Sequence, residues 1–293
     1  MGNVEGTEGE PALASPTPNE GDSLLRPPVA RREPLRQTVH GVELVDEYAW
    51  LAERGSRESL AYLEAENRYA EWVLGRTESL RQALYDEFVG RIQQTDMSVP
   101  VRLDDNYYYS RTEEGRQYRI YCRRRGAPDA PEEVMLDPNE LAEGAEFFRL
   151  GAVEVSPDHR LLAFTVDLTG GESYRLLVKD LDSGELHDEG LDGAAASICW
   201  AADSATLFYA TLDAVKRPYR VFRHALGETG ADVEVYREDD EAFYVSLRRT
   251  RSREFVLITS ASNVTSEVLC IPADRPATVP QSVEPVSYTH LRA

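Results

Sequence analysis

The feature of the sequence that most constrains its fold is a paired-strand unit that recurs four times, at intervals of about 45 to 55 residues. In the two clearest copies, Leu161–Val166 is followed by Tyr174–Val178, and Leu207–Ala210 is followed by Tyr219–Phe222. The outer copies have the same form; they are Tyr107–Tyr109 with Tyr118–Tyr121, and Phe255–Ile258 with Glu267–Leu269. This spacing is typical of the blades of a β-propeller.

We place the four blades at residues 99–146, 147–192, 193–239 and 240–284, which together form a predicted partial β-propeller domain, 99–284. Short Asp- and Gly-rich segments between the strands predict hairpin turns. Asp158 and Asp203 occupy equivalent places ahead of the second strand of their units, where a short acceptor side chain stabilises its own turn. We therefore interpret both as structural residues rather than catalytic ones.

The segment before the blades divides into two parts. Residues 1–26 are rich in Glu, Gly, Pro and Ser, and we expect a disordered acidic tail. Residues 27–98 predict an extended arm followed by two helices within 56–92, with Ser56 and Thr77 as N-caps and Gly75 at the end of the first helix. The second helix carries one apolar stripe, made of Leu80, Ala83, Leu84, Phe88 and Ile92. Such a stripe needs a covering partner.

The composition excludes several classes of function. The formal net charge is −20, which argues against a nucleic-acid partner because phosphate binding needs clustered cations. Cys122, Cys199 and Cys270 have no spacing that suits zinc, and their odd number does not suit a closed disulfide framework, so we expect buried free thiols. No apolar run approaches the length of a membrane span, and no secretory signal is recognisable. We therefore expect a cytoplasmic protein with no membrane partner.

The catalytic motifs of hydrolases are absent from the 293 residues. No Gly-x-Ser-x-Gly pentapeptide occurs, since Gly171-Glu172-Ser173 lacks the final glycine, and the esterase-like Gly21-Asp22-Ser23-Leu24 lies in the predicted tail. None of the histidines has a nearby Ser or Cys in a convincing arrangement; they are His40, His159, His187, His224 and His290. We expect no catalytic, cofactor-binding or metal-binding residue in this sequence.

One motif stands out before the first helix, Asp46-Glu47-Tyr48-Ala49-Trp50-Leu51. Further segments accompany it over about residues 27–275, namely Pro27–Ala30, Thr38–Gly41, Tyr62–Asn67, Leu136–Ala142 and Phe147–Glu185. Together they resemble the N-terminal part of the prolyl oligopeptidase family of serine peptidases, and its oligopeptidase B branch in particular.

The resemblance implies an arm and helices that pack on a C-terminal α/β-hydrolase domain of the same polypeptide, with a seven-bladed propeller that caps the active site. About four of those expected seven blades are present here. The family's catalytic residues come from the C-terminal domain, so none is transferred to a position of this sequence. The implied function is that of a serine endopeptidase that hydrolyses short basic peptides after Arg or Lys, in which these residues gate substrate access and are inactive alone.

Two alternatives remain at this point. A free-standing propeller could bind a partner without catalysis, although its last blade would then leave an open strand edge. An esterase that uses Ser23 is the other, and it predicts that Ser23→Ala abolishes ester hydrolysis. The final segment, 285–293, continues neither the blade pattern nor the family resemblance, and we interpret it as non-native sequence.

Overall fold

The structure is a computed structural model, and it describes residues 26–228 and 230–284. The chain divides into two compact units, of which the first ends at Gln93 and the second begins at Gln94. The predicted disordered tail, except for Arg26, and the predicted non-native segment 285–293 lie outside the described residues. Ser23 and His290 belong to these segments.

The first unit begins with a hairpin inside the predicted extended arm. Strands β1 (Leu35–Val39) and β2 (Val42–Asp46) are antiparallel, and Val39 pairs with Val42. His40 and Gly41 form the turn with φ angles of 51° and 80°, the left-handed values of a two-residue hairpin turn. A short 3-10 helix, Ala49–Ala52, follows.

Two helices complete the first unit. Helix α1 (Arg57–Gly75) ends at the predicted glycine, and its predicted cap is confirmed because the Ser59 backbone N–H donates to the Ser56 hydroxyl at 3.1 Å. Thr77 does precede helix α2 (Glu78–Arg91), but its hydroxyl donates to the Leu74 carbonyl at 2.8 Å. Thr77 therefore occupies the predicted N-cap position, but its side chain does not cap α2 because it bonds to the end of α1.

The apolar stripe of α2 is exposed in this structure. Leu80 and Phe88 are each 60% exposed, and Ile92 is 63% exposed. Helix α1 adds exposed apolar side chains, which are Leu60, Leu63, Val73 and Leu74. The unit thus presents an apolar helical surface to solvent.

The second unit consists of four groups of antiparallel strands, joined in chain order. The first group comprises β3 (Asp96–Met97), β4 (Val101–Leu103), β5 (Asn106–Thr112), β6 (Ile120–Arg125) and β7 (Glu133–Leu136), followed by the short helix α3 (Pro138–Leu141). The second comprises β8 (Arg149–Val155), β9 (Leu161–Asp167), β10 (Tyr174–Asp180) and the first half of β11 (Leu186–Trp200). The third comprises the rest of β11, β12 (Thr206–Leu212), β13 (Pro218–Ala225) and β14 (Val233–Arg237). The fourth comprises β15 (Tyr244–Arg249), β16 (Phe255–Ala261), β17 (Ser266–Pro272) and β18 (Gln281–Glu284).

Strand β11 is shared by the second and third groups, so these two form one seven-stranded sheet. Its first half pairs with β10, for example Asp188 with Leu177, and its second half pairs with β12, for example Ile198 with Tyr209. Gly190 has a φ of 72°, a value that glycine adopts without steric cost, and the register shifts in this part of the strand. The boundary that we predicted between residues 192 and 193 therefore lies inside a continuous strand.

The apolar core lies between consecutive groups. One cluster contains Leu136 of β7 and Phe164 of β9, and another contains Leu176 of β10 and Trp200 of β11. A third joins Phe208 of β12 to strands β15, β16 and β17 of the fourth group. Because the middle groups are covered on both faces, their strands are continuous apolar runs instead of alternating ones.

The predicted fold class, mainly β with antiparallel strand groups after N-terminal helices, is confirmed. All three cysteines are free; Cys122 and Cys199 are buried as predicted, whereas Cys270 is only partly buried because it lies in the terminal strand group. Within the described residues, no helix is long and apolar enough to cross a membrane.

Candidate functional site

In each group, the turn that directly precedes β5, β9, β12 or β16 places one side chain in the same unusual conformation. We call these four segments the first turns: residues 104–105, 157–160, 202–205 and 250–254. Each contains one non-glycine residue with left-handed φ, namely Asp104 (53°), His159 (63°), Ser204 (56°) and Arg253 (64°). This conformation costs an ordinary residue about 1 kcal/mol, so we expect side-chain contacts at these positions that offset the cost.

The two aspartates singled out in the sequence stabilise their own first turns. Asp158 Oδ1 accepts the Arg160 backbone N–H at 3.1 Å, and Asp203 Oδ1 accepts the Ala205 N–H at 3.0 Å. The structural role predicted for both is confirmed. The two turns are also joined, because the Asp158 backbone N–H donates to the Ser204 hydroxyl at 3.1 Å.

Asp104 connects three of the four groups. The Arg253 guanidinium donates to both of its carboxylate oxygens, at 2.6 and 2.8 Å, and His159 Nε2 lies 3.0 Å from Oδ2. The Arg253 hydrogen bonds, and next that of His159, hold the pKa of the Asp104 carboxyl well below its usual range. His159, for which the sequence suggested no role beyond following a turn, is thus part of a charged cluster.

Two residues of the first group, Tyr108 and Arg123, hold His159 in position. The Tyr108 hydroxyl lies 2.7 Å from His159 Nδ1, and Arg123 Nη1 donates to the His159 carbonyl at 2.5 Å. Arg123 is 1% exposed, and its Nε donates to Glu133 at 2.8 Å. Its Nη2 is buried without a hydrogen-bond partner and lies 4.0 Å from Asp182 Oδ1. The sequence gives no signal for this residue, since Arg123 is one of three consecutive arginines and strand alternation would place it on the same face as the exposed Arg125.

A second set of interacting ionisable groups consists of Glu154, Arg249 and Cys199. Glu154 of β8 is an exposed residue and lacks a side-chain hydrogen bond among those found in the described residues, but neighbouring elements crowd its carboxyl and limit the hydration of that group. This desolvation raises the pKa of Glu154 to about 7, against a smaller opposing effect of Arg249 in β15. Desolvation also lowers the pKa of Arg249 and raises that of the nearby Cys199 thiol to about 12. Cys199 is therefore an inert thiol and not a nucleophile.

His224 forms the other histidine cluster, between the second and third groups. Its imidazole is buried, with Nδ1 2.8 Å from Asp232 Oδ1 and Nε2 3.3 Å from Glu189 Oε2. The Tyr209 hydroxyl donates to the other oxygen of Asp232 at 2.6 Å. These residues border an open surface pocket of about 480 Å³. The sequence suggested only that His224 ends a strand, because its two acidic partners come from distant segments.

The remaining residues considered in the sequence do not assemble into a catalytic centre. His40 occupies the hairpin turn, His187 lies near the start of β11, and Ser173 follows the turn before β10. In residues 26–228 and 230–284, the histidine side chains that are hydrogen bonded face tyrosine or carboxylates, and none faces a serine or cysteine. The same residues hold no group of three or more potential ligands that could bind a metal ion. The described clusters can join strand groups and present charge, but they contain no activated nucleophile.

Comparison with known proteins gives consistent results over most of the chain. The family model described as the prolyl oligopeptidase N-terminal beta-propeller domain matches residues 27–290. Dipeptidyl aminopeptidase BI of Pseudoxanthomonas mexicana is 38% identical in an alignment of 273 residues that covers 87% of this chain and 38% of the relative. Protease 2 of Moraxella lacunata is 33% identical in an alignment of 268 residues that covers 89% of this chain and 39% of the relative.

Solved structures show the same relation. Oligopeptidase B from Leishmania major aligns with a TM-score of 0.79 and 29% identity, over 89% of this chain and 40% of that structure. Oligopeptidase B from Trypanosoma brucei, with covalently bound antipain, aligns with a TM-score of 0.77 and 30% identity, over 89% and 39%. The chain thus spans about two fifths of the length of these proteins, which are longer and carry a catalytic domain beyond the aligned propeller.

Proposed function

The chain belongs to the prolyl oligopeptidase family and matches its N-terminal β-propeller domain, and from this premise we propose that it is the N-terminal and propeller part of an oligopeptidase B-like serine endopeptidase. The complete enzyme would hydrolyse short peptides after Arg or Lys through an acyl-enzyme. The observation that carries the proposal is the likeness to oligopeptidase B over nearly all of the described residues. Cytoplasmic location is part of the proposal.

Within that enzyme, the strand groups would gate substrate access. Support comes from their construction, in which apolar clusters between neighbours make a rigid stack and the charged side chains gather at the first turns. A stack of this kind admits a flexible peptide more readily than a folded protein. The net charge of −20 supports the preference for basic peptides, since an acidic surface raises their local concentration.

The apolar helical surface of the first unit supports the proposed partner. Leu80, Phe88 and Ile92 of the α2 stripe are each at least 60% exposed, and exposed apolar side chains that cluster on a helix are of the kind that marks an interface. We propose that the C-terminal α/β-hydrolase domain of the same polypeptide covers this surface.

A second specificity is favoured by one of the comparisons. The relative that is 38% identical is named a dipeptidyl aminopeptidase, an activity that removes two residues from a peptide N-terminus. The propeller part alone does not distinguish cleavage after Arg or Lys from dipeptide removal, because both are performed by the catalytic domain. The assay must therefore include substrates of both kinds.

The proposal predicts that the gene continues into a hydrolase domain with a Gly-x-Ser-x-Gly pentapeptide, which sequencing of the downstream DNA tests. The complete protein should cleave fluorogenic peptides that end in Arg or Lys, and replacement of the pentapeptide serine by alanine should abolish this cleavage. Preferential release of dipeptides would support the second specificity. An open reading frame without a hydrolase domain, or robust peptide turnover by the purified 293-residue chain, would contradict the proposal and favour, respectively, a binding module or an unrecognised site.

A further inference from the structure

The Asp104–Arg253 ion pair joins the first strand group to the fourth. The two residues are 149 positions apart in sequence, and two groups lie between them along the chain. Consecutive groups are held by shared apolar clusters, whereas this contact between non-consecutive groups is ionic. It therefore links the two ends of the set of four groups by a side-chain contact between their first turns.

The backbone at both ends of the pair has the left-handed conformation that all four first turns share. Asp104 and Arg253 both have left-handed φ, a conformation that glycine or asparagine adopts at lower cost. A strained backbone conformation persists where surrounding interactions determine it, and here it directs the carboxylate and the guanidinium towards each other. His159, also left-handed, approaches the same carboxylate from the second group.

We propose that Asp104 and Arg253 form a releasable clasp that holds the first and fourth strand groups together at their first turns. The pairing is bidentate, which fixes its geometry. Both side chains are nevertheless partly in solvent, with 48% of Asp104 and 35% of Arg253 exposed. Exposed ion pairs are weak enough to break and reform in solution, so the clasp can open without unfolding of either group.

The clasp does not depend on the proposed peptidase activity, because it concerns contacts among strand groups alone. Its test is a distance measurement in the 293-residue chain with spin labels at Asp105→Cys and Arg251→Cys, which lie beside the clasp but outside it. Cys270→Ser removes the one cysteine that is not buried. Electron paramagnetic resonance then reports the separation of the two first turns.

We expect one narrow distance distribution in the labelled parent. Arg253→Gln and Asp104→Asn should each increase the fraction of longer distances, by roughly fivefold for an exposed pair, and the double variant should do no more than either single one. The control is Arg237→Gln, which breaks an exposed Arg–Asp pair of 2.8 Å inside the third group, and it should leave the distribution unchanged.

Unchanged distances in both single variants, or effects that add in the double variant, would overturn the clasp. Circular dichroism establishes that each variant is folded. A measurement that needs no substitution within the clasp is the labelled parent in 1 M NaCl, where the Debye length is about 3 Å and the exposed pair is screened. Distances that do not lengthen at this salt concentration would also overturn the proposal, whether or not the variants fold.

Discussion

Replacement of Glu154 by glutamine should stabilise the chain at pH 8 and leave its stability nearly unchanged at pH 4. The folded protein raises the pKa of this carboxyl from its ordinary value of 4.5 to about 7, because desolvation disfavours the charged form. Between these two values the folded state holds a proton that the unfolded state releases. The free energy of unfolding therefore falls as the pH rises through this interval.

The size of the effect follows from the same interval. A rise from 4.5 to about 7 corresponds to about 3.4 kcal/mol of lost stability once Glu154 is ionised. Glu154 is an exposed residue, so solvent screens much of this cost, and we expect about 1.5 kcal/mol. Glutamine keeps the shape of the side chain and cannot ionise, so it avoids the loss.

Urea denaturation followed by tryptophan fluorescence measures this difference, and the buried Trp200, whose indole N–H donates to the Glu154 carbonyl at 2.9 Å, provides a local signal. The matched control is the exposed Glu241→Gln, which should have little effect at either pH. Equal effects of Glu154→Gln at pH 4 and pH 8, or a loss of stability at pH 8, would refute the assignment of a desolvated carboxyl at this position.

Three further substitutions test the packing. Gly151→Ala should destabilise the chain by about 1–3 kcal/mol, because the added Cβ would overlap the Thr165 side chain. The control Gly230→Ala, whose Cβ would meet nothing within 4 Å, should be nearly neutral in the same denaturation assay. Equal effects of the two substitutions would argue against the close contact between β8 and β9. His224→Ala should cost about 2–4 kcal/mol because it leaves two nearly buried carboxylates without their shared partner, and a thermal midpoint equal to that of the parent would contradict this. Ser56→Ala should cost about 1 kcal/mol through loss of the α1 cap, and an unchanged helical signal and midpoint would show that the cap is dispensable.

The sequence predicted the parts of the fold that depend on local pattern. The apolar runs around Phe164 and Phe208 predict strands because both faces of a middle sheet are buried, and the structure confirms this. The α2 stripe and the Ser56 cap are also readable from spacing alone. The blade boundary inside β11 was not predictable from turn residues, since Gly190 bends a strand there without ending it.

The charged clusters could not be predicted from the sequence for a different reason. Asp104, His159 and Arg253 come from three strand groups, and no periodicity relates their side chains. His224 likewise meets Glu189, 35 residues away, only once β11, β12 and β13 have paired in the seven-stranded sheet. The sequence offered one signal, which is the equivalent position of the turn residues Asp158 and Asp203 in two of the repeats. That signal predicted similar turns, but it did not predict the contacts between one turn and another.

The continuous strand β11 has a consequence for how this protein can be divided. Backbone hydrogen bonds cross from β10 to β12 through a single strand, so the two groups should melt as one cooperative block instead of as independent repeats. Cleavage or insertion near residue 192 would cut through that block. The segment between β14 and β15 connects two sheets and belongs to neither. A cut in this segment would leave every sheet intact, so we expect the two resulting fragments to reassemble.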